Sequence, residues 1–81
     1  MNENIVALCK IPEGKTARVC SLLSTGSMRR RLQDIGLTPG TRVECLQKSP
    51  AGDPIAYLIR GAVIALRSED SQKILVAEQL A

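Results

Sequence analysis

Residues 26 to 44 have the sequence GSMRRRLQDIGLTPGTRVE, which contains the pattern of a short amphipathic helix followed by a turn. Met28, Leu32 and Ile35 recur at i, i+4 and i+7, the spacing of one helical stripe. Ser27 precedes them as a candidate N-cap. A helix of about two turns is not stable alone in water, so we expect it to dock on a sheet.

The end of this helix is the clearest local signal in the chain. Gly36 suits the left-handed residue that follows a helix, and Leu32 and Leu37 occupy the positions of the hydrophobic pair in a Schellman ending. Pro39 and Gly40 suit the two central positions of a type II turn. We therefore predict structural turn roles for these residues.

The segments around the helix predict strands. Residues 16 to 23, TARVCSLL, precede it, and apolar and polar residues alternate after Thr41. Residues 62 to 67 are apolar on both faces, so we expect that strand to be central or covered. Gly61 allows a tight reversal before it. The remaining predicted elements are a loop at 49–54, strands at 55–60 and 73–78, and a capped helical turn at 68–71.

This order of elements predicts a mainly β fold. We expect a small barrel of about five strands, with a short α-helix after the first strand and a one-turn helix before the last. Closure is favoured because it removes exposed strand edges. The 81 residues suit one domain, 1–81. With no Phe, no Trp and one Tyr, the core must consist of Val, Ile, Leu and Ala.

Composition argues against catalysis, cofactors and metal. The chain has no His and three widely spaced Cys, so it lacks the usual base and the usual zinc ligands. Cys20 and Cys45 lie in apolar stretches and are expected to be small buried hydrophobes. No phosphate-binding glycine motif is present. We predict no catalytic residue, no metal site, no cofactor and no enzymatic activity.

The chain also lacks membrane-targeting signals. No apolar run approaches the roughly 20 residues that a spanning helix needs, and neither a signal peptide nor a lipidation motif is apparent. Unpaired cysteines suit a reducing compartment. We expect a cytoplasmic protein without direct membrane insertion.

The net charge is +3, and the excess lies in the first half of the chain. Residues 1–48 contain eight basic and four acidic side chains, whereas residues 49–81 contain three and four. A basic half suits an acidic protein, nucleic acid or an anionic lipid surface, although it is also common on an ordinary solvated face.

The three adjacent arginines lie at the helix start, where the helix dipole disfavours positive charge. On a helical wheel, Arg29 and Arg31 flank the apolar stripe, and Arg30 points away from it. Two interpretations remain open: a solvated face, or a face that docks on an acidic partner or a neighbouring subunit. Tyr57 is the candidate anchor for the same interface, the alternative being a ring packed on the barrel with its hydroxyl in water.

The sequence MRRRLQDIGLTPGTRVECLQKSPAGDPIAYLIRGAVIALR, followed by ILV, resembles the ferrous iron transport protein A family (FeoA). The elements that resemble it are the arginine-rich short helix, GLTPG, the GDP loop and the G…IALR strand. The resemblance covers about residues 12–78. It implies an SH3-like barrel, in keeping with the pattern of strands.

The resemblance also implies a role. It indicates a small cytoplasmic accessory or regulatory protein of bacterial ferrous iron uptake. Its partner would be the membrane permease, ferrous iron transport protein B, whose cytoplasmic GTP-binding part it would contact, peripherally at the inner membrane. Whether it would modulate GTP hydrolysis or assembly stays open. The alternatives are a nucleic-acid-binding barrel, which the lack of stacking aromatics disfavours, and a self-associating structural module.

Overall fold

Six antiparallel strands and two short α-helices make up residues 4–78, the part of the chain that the computed structural model describes. A single 3-10 turn follows the first strand. The elements are β1 (Asn4–Ala7), the 3-10 turn (Leu8–Lys10), β2 (Thr16–Leu22), α1 (Gly26–Asp34), β3 (Arg42–Lys48), β4 (Ile55–Ile59), β5 (Ala62–Leu66), α2 (Ser68–Ser71) and β6 (Ile74–Glu78).

The strands form one sheet in the order β1-β6-β2-β3-β4-β5. The mainly β class and the places of both helices are as predicted, but the described strands number six rather than about five. The additional strand, β1, pairs with β6 from Asn4 opposite Glu78 to Ala7 opposite Leu75. This four-residue strand depends on pairing with a distant segment. Its own sequence therefore contains no pattern that predicts a strand.

Strand β5 lies at the edge of the sheet and pairs only with β4 among the described strands. The prediction that this strand is central or covered is therefore wrong. Ile64 and Leu66 face the core, whereas Val63 is 67% exposed. The sequence misleads here because its outward positions are filled by Ala and Val, whose small apolar side chains are tolerated in water.

A single apolar core fills the space enclosed by the sheet, α1 and the 3-10 turn. Successive side chains of a strand point to opposite faces, and one face of each strand from β2 to β4 is almost fully buried. Leu32 of α1 and Leu8 of the 3-10 turn, each 1% exposed, close the two ends. Burial of α1's stripe, rather than helix propensity, holds this short helix in place.

Helix α1 begins earlier than predicted and ends as expected. Thr25, not Ser27, is the N-cap, because its carbonyl accepts the Arg29 N–H at 3.5 Å; no side chain caps this end. At the other end, the Leu37 N–H donates to the Leu32 carbonyl and the Gly36 N–H to the Gln33 carbonyl, each at 3.0 Å. These are the two hydrogen bonds of a Schellman motif.

Two tight turns complete the region beside α1. The Thr41 N–H donates to the Thr38 carbonyl at 3.0 Å, and Gly40 has φ 91°, as a type II turn around Pro39 requires. Arg60 and Gly61 join β4 to β5 with φ values of 51° and 82°. Positive φ at both central residues is the geometry of a type I′ hairpin turn.

Asp53, in the loop between β3 and β4, supports the short helix α2. Its Oδ1 accepts a 2.7 Å hydrogen bond from the Ser68 N–H, the first donor of that helix. A carboxylate at a helix start satisfies a free N–H and complements the dipole. The loop predicted at 49–54 therefore stabilises an element that lies more than a dozen residues later.

Tyr57 lies in the middle of the core and is 0% exposed. The prediction that it anchors a partner is corrected, because a partner cannot reach it. Its hydroxyl is also not in water: Oη is buried without a well-formed hydrogen bond among the described residues, although the Ser71 hydroxyl is near. Tyr57 faces inward because it alternates with Ile55 and Ile59 on the buried side of β4.

Replacing Gly36 by Ala is expected to lower the free energy of unfolding by roughly 2–3 kcal/mol. Part of this loss comes from placing an alanine at positive φ, and part from displacing the Arg60 side chain that contacts Gly36. Gly36 has φ 106°, and an added Cβ would lie 2.6 Å from the Arg60 Cδ. Gly40→Ala is the matched control, since φ is 91° there but nothing lies within 4 Å. The control should cost only about 1–2 kcal/mol in urea denaturation. Equal losses would contradict a role for the Arg60 contact.

Replacing Tyr57 by Phe should leave stability at neutral pH unchanged or raise it by up to about 1 kcal/mol, because it removes a buried hydroxyl that lacks a good partner. Urea denaturation measures the difference. Ser71→Ala is the companion variant, since it removes the nearby hydroxyl while leaving the phenol in place. A loss of stability in Tyr57→Phe would show that the hydroxyl makes a favourable hydrogen bond.

The native protein and Tyr57→Phe should differ in how their stability changes in alkaline solution. Burial raises the pKa of Tyr57 from 10.0 to about 12, and the smaller effect of the Ser71 hydroxyl lowers it. When folding raises the pKa of a group, its protonated form stabilises the folded state at pH values below the pKa of the unfolded chain. This stabilisation is lost as the pH rises through the pKa of the folded protein. Between pH 10.0 and about 12, the native protein should therefore lose stability more steeply than Tyr57→Phe.

Candidate functional site

Three exposed arginines on one helix form the first candidate surface, which we call the α1 arginine face: Arg29, Arg30 and Arg31. Arg29 is held by the fold, since its Nη1 donates a 2.9 Å hydrogen bond to the Leu22 carbonyl at the end of β2. The side chains of Arg30 and Arg31 form no hydrogen bond or ion pair with the described residues. These two guanidinium groups are therefore the ones available to a partner.

A shallow groove of about 240 Å³ lies between α1, β5 and the start of α2. Arg31 and Arg67 supply positive charge at its edge and Asp70 supplies negative charge. Neither arginine forms an ion pair with Asp70 within the described part of the chain. The other lining residues are Met28, Leu32, Ile35, Ile64, Ala65 and Leu66. The groove is apolar at its base and charged at its rim.

The structure gathers the predicted turn residues at one end of the molecule, but not Tyr57. Gly36, Leu37, Pro39 and Gly40 follow α1 directly, and the Arg60–Gly61 turn packs against them through the Arg60 side chain. The arginines of α1 remain a separate surface. Sequence and structure therefore agree on the turns and the helix, and disagree on the tyrosine.

Arg60 and Arg18 hold the turn from two sides, and sequence reasoning missed both. Arg60 donates to the Gly36 carbonyl at 3.3 Å and to the Thr38 and Thr41 hydroxyls at 3.4 Å each. Arg18 donates to the Gly40 carbonyl at 3.0 Å. Arg60 was placed in the predicted strand 55–60, whereas β4 ends at Ile59. The Arg-Gly pair is the signal that could have identified it, because a two-residue type I′ turn needs positive φ at both residues.

The acidic and cysteine side chains of the described residues are dispersed. Between residues 4 and 78, no three His, Cys, Asp or Glu side chains come together as ligands. The three cysteines are free, and burial raises the pKa of the Cys45 thiol, which disfavours the reactive thiolate. No helix in this part of the chain is long and apolar enough to cross a membrane.

Comparison with known proteins agrees with the fold and the turn pattern. Residues 6–78 match the model of the FeoA domain. A fusion protein of Porphyromonas gingivalis, in which Fe(2+) transport protein A is joined to the Fe(2+) transporter FeoB, is 30% identical over 69 residues, or 85% of this chain. This chain spans only 8% of the length of that relative.

Solved structures show the same architecture. The FeoA protein of Chlorobium tepidum superimposes with a TM-score of 0.87 and 31% identity over 93% of this chain and 71% of that one. FeoA of Stenotrophomonas maltophilia, a procaryotic SH3 domain protein complexed with zinc, superimposes with a TM-score of 0.76. Its sequence identity is 26%, and the match covers 85% of this chain and 86% of that one. The SH3-like fold is therefore confirmed.

The match over nearly all described residues, the identity to a transport-protein segment and the shared fold lead to one conclusion. The chain belongs to the FeoA domain family.

Proposed function

We propose that this protein is a small cytoplasmic accessory and regulatory protein of ferrous iron uptake. It acts by direct contact with the GTP-binding part of the ferrous iron permease, at the inner surface of the membrane, and performs no catalysis itself. The observation that carries the proposal is the Porphyromonas gingivalis relative, in which a segment 30% identical to this chain is fused to the FeoB transporter.

A fusion supports contact for a physical reason. Linking two modules makes their association intramolecular and raises the effective concentration to the millimolar range for short flexible linkers. Such a link preserves function when the modules work in contact. For a separate chain, the corresponding contact needs affinity of its own, which surface residues must supply.

The α1 arginine face is our candidate for part of that contact. Arg30 and Arg31 are exposed, and their side chains have no partner within the described residues. Because α1 begins at Gly26, Arg30 lies near its middle and Arg31 in its last turn, so the expected conflict with the helix dipole does not arise. Charges of this kind accelerate encounter with an acidic surface and fix the orientation of docking. Arg29 contributes less, since its guanidinium already binds the Leu22 carbonyl.

Self-association is a second candidate function, favoured by β5. Its outer edge has no strand partner among the described residues, and it contains neither charge nor proline. Natural proteins usually protect such an edge. A nucleic-acid role is not favoured, because the only tyrosine is buried and no other aromatic residue is present to stack on bases.

A pull-down with the permease's soluble GTP-binding part tests the principal proposal. Native protein should be retained at moderate salt, and Arg30→Glu plus Arg31→Glu should weaken binding about tenfold, through lost attraction and new repulsion. The melting temperature should be unchanged, because neither side chain has a partner to lose.

Lys73→Glu combined with Lys10→Glu is the matched control, with the same change of charge at exposed positions outside α1. Absence of binding by native protein in every nucleotide state would reject the permease contact. Equal binding by the α1 variant and the control would reject the arginine face alone.

Sedimentation velocity over a range of concentrations tests self-association. If β5 pairs between copies, Val63→Lys should shift the protein to monomer, because a lysine on an edge strand opposes strand addition. Leu23→Lys is the control, since Leu23 is 57% exposed but lies outside β5. A native protein that is monomeric at the highest concentration would exclude this function.

A further inference from the structure

Three exposed arginines lie side by side on the outer face of the sheet, across β2, β3 and β4. Arg18 pairs directly with Arg42 in the antiparallel register. Val43 pairs with Ile59, so Arg42, one residue earlier, lies opposite Arg60, one residue later. We call Arg18, Arg42 and Arg60 the arginine row.

The row points away from the core. Successive side chains of a strand alternate between the two faces, and the neighbours Ala17, Val43 and Ile59 are buried at 0%, 1% and 0% exposure. Arg18 and Arg42 consequently project outward, and the side chain of Arg60 is likewise exposed. Directly opposed residues have Cβ atoms only about 5 Å apart, so the positive charges are concentrated.

This concentration of charge is unfavourable to the fold. Like charges directly opposite each other destabilise a strand pair, and none of the three forms an ion pair within the described residues. Arg18 and Arg60 gain hydrogen bonds to the turn after α1. Arg42 donates no hydrogen bond to any described residue, so local structure does not account for a positive charge at its position.

The surface beside the row is concave and partly apolar. A cavity of about 240 Å³ is lined by Arg42, Glu44, Leu58, Arg60 and Gly61. Leu58 pairs directly with Val63 of β5, and Val63 is the most exposed large apolar side chain of the described residues, at 67%. Positive charge and exposed apolar surface therefore adjoin on one face.

We propose that the arginine row, together with Leu58 and Val63, is a docking surface for an acidic amphipathic segment of a protein partner. A carboxylate of the segment accepts hydrogen bonds from Arg42, in the paired geometry that guanidinium groups favour. Arg60, whose Nε and Nη2 already donate to the turn after α1, adds positive charge beside it. An apolar side chain of the segment covers Leu58 and Val63. The inference rests on the proposed function, because the partner used to test it is the permease's soluble part.

The chemistry of the surface selects this occupant over two others. A second copy of the chain would bring its own arginine row against this one in a symmetric contact, where like charges repel. A nucleic acid would meet apolar Leu58 and Val63 where it needs stacking aromatics.

Chemical-shift mapping on the native protein is the first part of the test. Isotope-labelled chain is titrated with the permease's soluble GTP-binding part. Amide shifts should cluster at residues 42–44 and 58–63. Shifts confined to α1 would overturn the docking surface and leave the proposed function standing. Absence of any shift would overturn both.

Charge reversal at Arg42 is the second part. Arg42→Glu should weaken binding about tenfold or more, while the melting temperature is unchanged or rises by about 1–5 °C, because two like-charge pairs become opposite-charge pairs. A purely structural arginine would instead lower the melting temperature. Lys73→Glu, with the same change of charge on another surface, should bind as native protein does.

A short single-stranded RNA is the third ligand. If it shifts the resonances of the arginine row at lower concentration than the permease part does, the row binds phosphate and the proposal is overturned. Unchanged affinity of Arg42→Glu for the permease part would overturn it equally.

Discussion

The contact between Arg60 and Gly36 determines how the parts of this molecule fit together. Arg60 occupies a backbone conformation that costs a non-glycine residue about 1–2 kcal/mol, and in that conformation its side chain lies over Gly36 and donates to the Gly36 carbonyl. The absence of a Cβ at Gly36 leaves room for the Arg60 stem. The hairpin between β4 and β5 is thereby joined to the end of α1.

Several features depend on this contact. The Schellman ending of α1 and the turn around Pro39 are short and exposed, and their hydroxyl and carbonyl groups need donors. Arg60 supplies donors from one side, and Arg18 supplies one from the other. These side-chain hydrogen bonds add to the burial of Leu37, which is 0% exposed, in holding the segment against the sheet. They also bring positive charge to the outer face of the sheet.

The sequence was sufficient where structure is local, and insufficient where it depends on distant segments. The end of α1 follows from Leu32, Gly36 and Leu37, because a Schellman motif is encoded within six residues. Strand β1 forms by pairing with β6, and no residue near β1 in the sequence indicates this pairing. The inward orientation of Tyr57 is set by the register of β4 in the assembled sheet, so a residue type common at interfaces was wrongly expected on the surface.

The candidate surfaces show the same division. Periodicity places the arginines of α1 correctly on the helix, but it does not reveal that Arg29 binds the Leu22 carbonyl. The arginine row joins residues 18, 42 and 60, which are separated by more than a dozen positions and become neighbours only through two strand registers. Pairwise register is a property of the assembled sheet, so this surface was beyond prediction from one sequence.

The position of the chain's described ends bears on how such surfaces are used. Asn4 and Glu78 lie opposite each other in β1 and β6, joined by a 2.8 Å hydrogen bond between Asn4 Nδ2 and Glu78 Oε1. In the order of the sheet, these strands lie at the side away from β4 and β5. Strand β6 also pairs with β2, with Ala77 opposite Arg18, so Glu78 lies beside the Arg18 end of the arginine row. Arg42 and Arg60 belong to the next two strands along the sheet, so a module joined near Glu78 would adjoin the arginine row rather than face away from it.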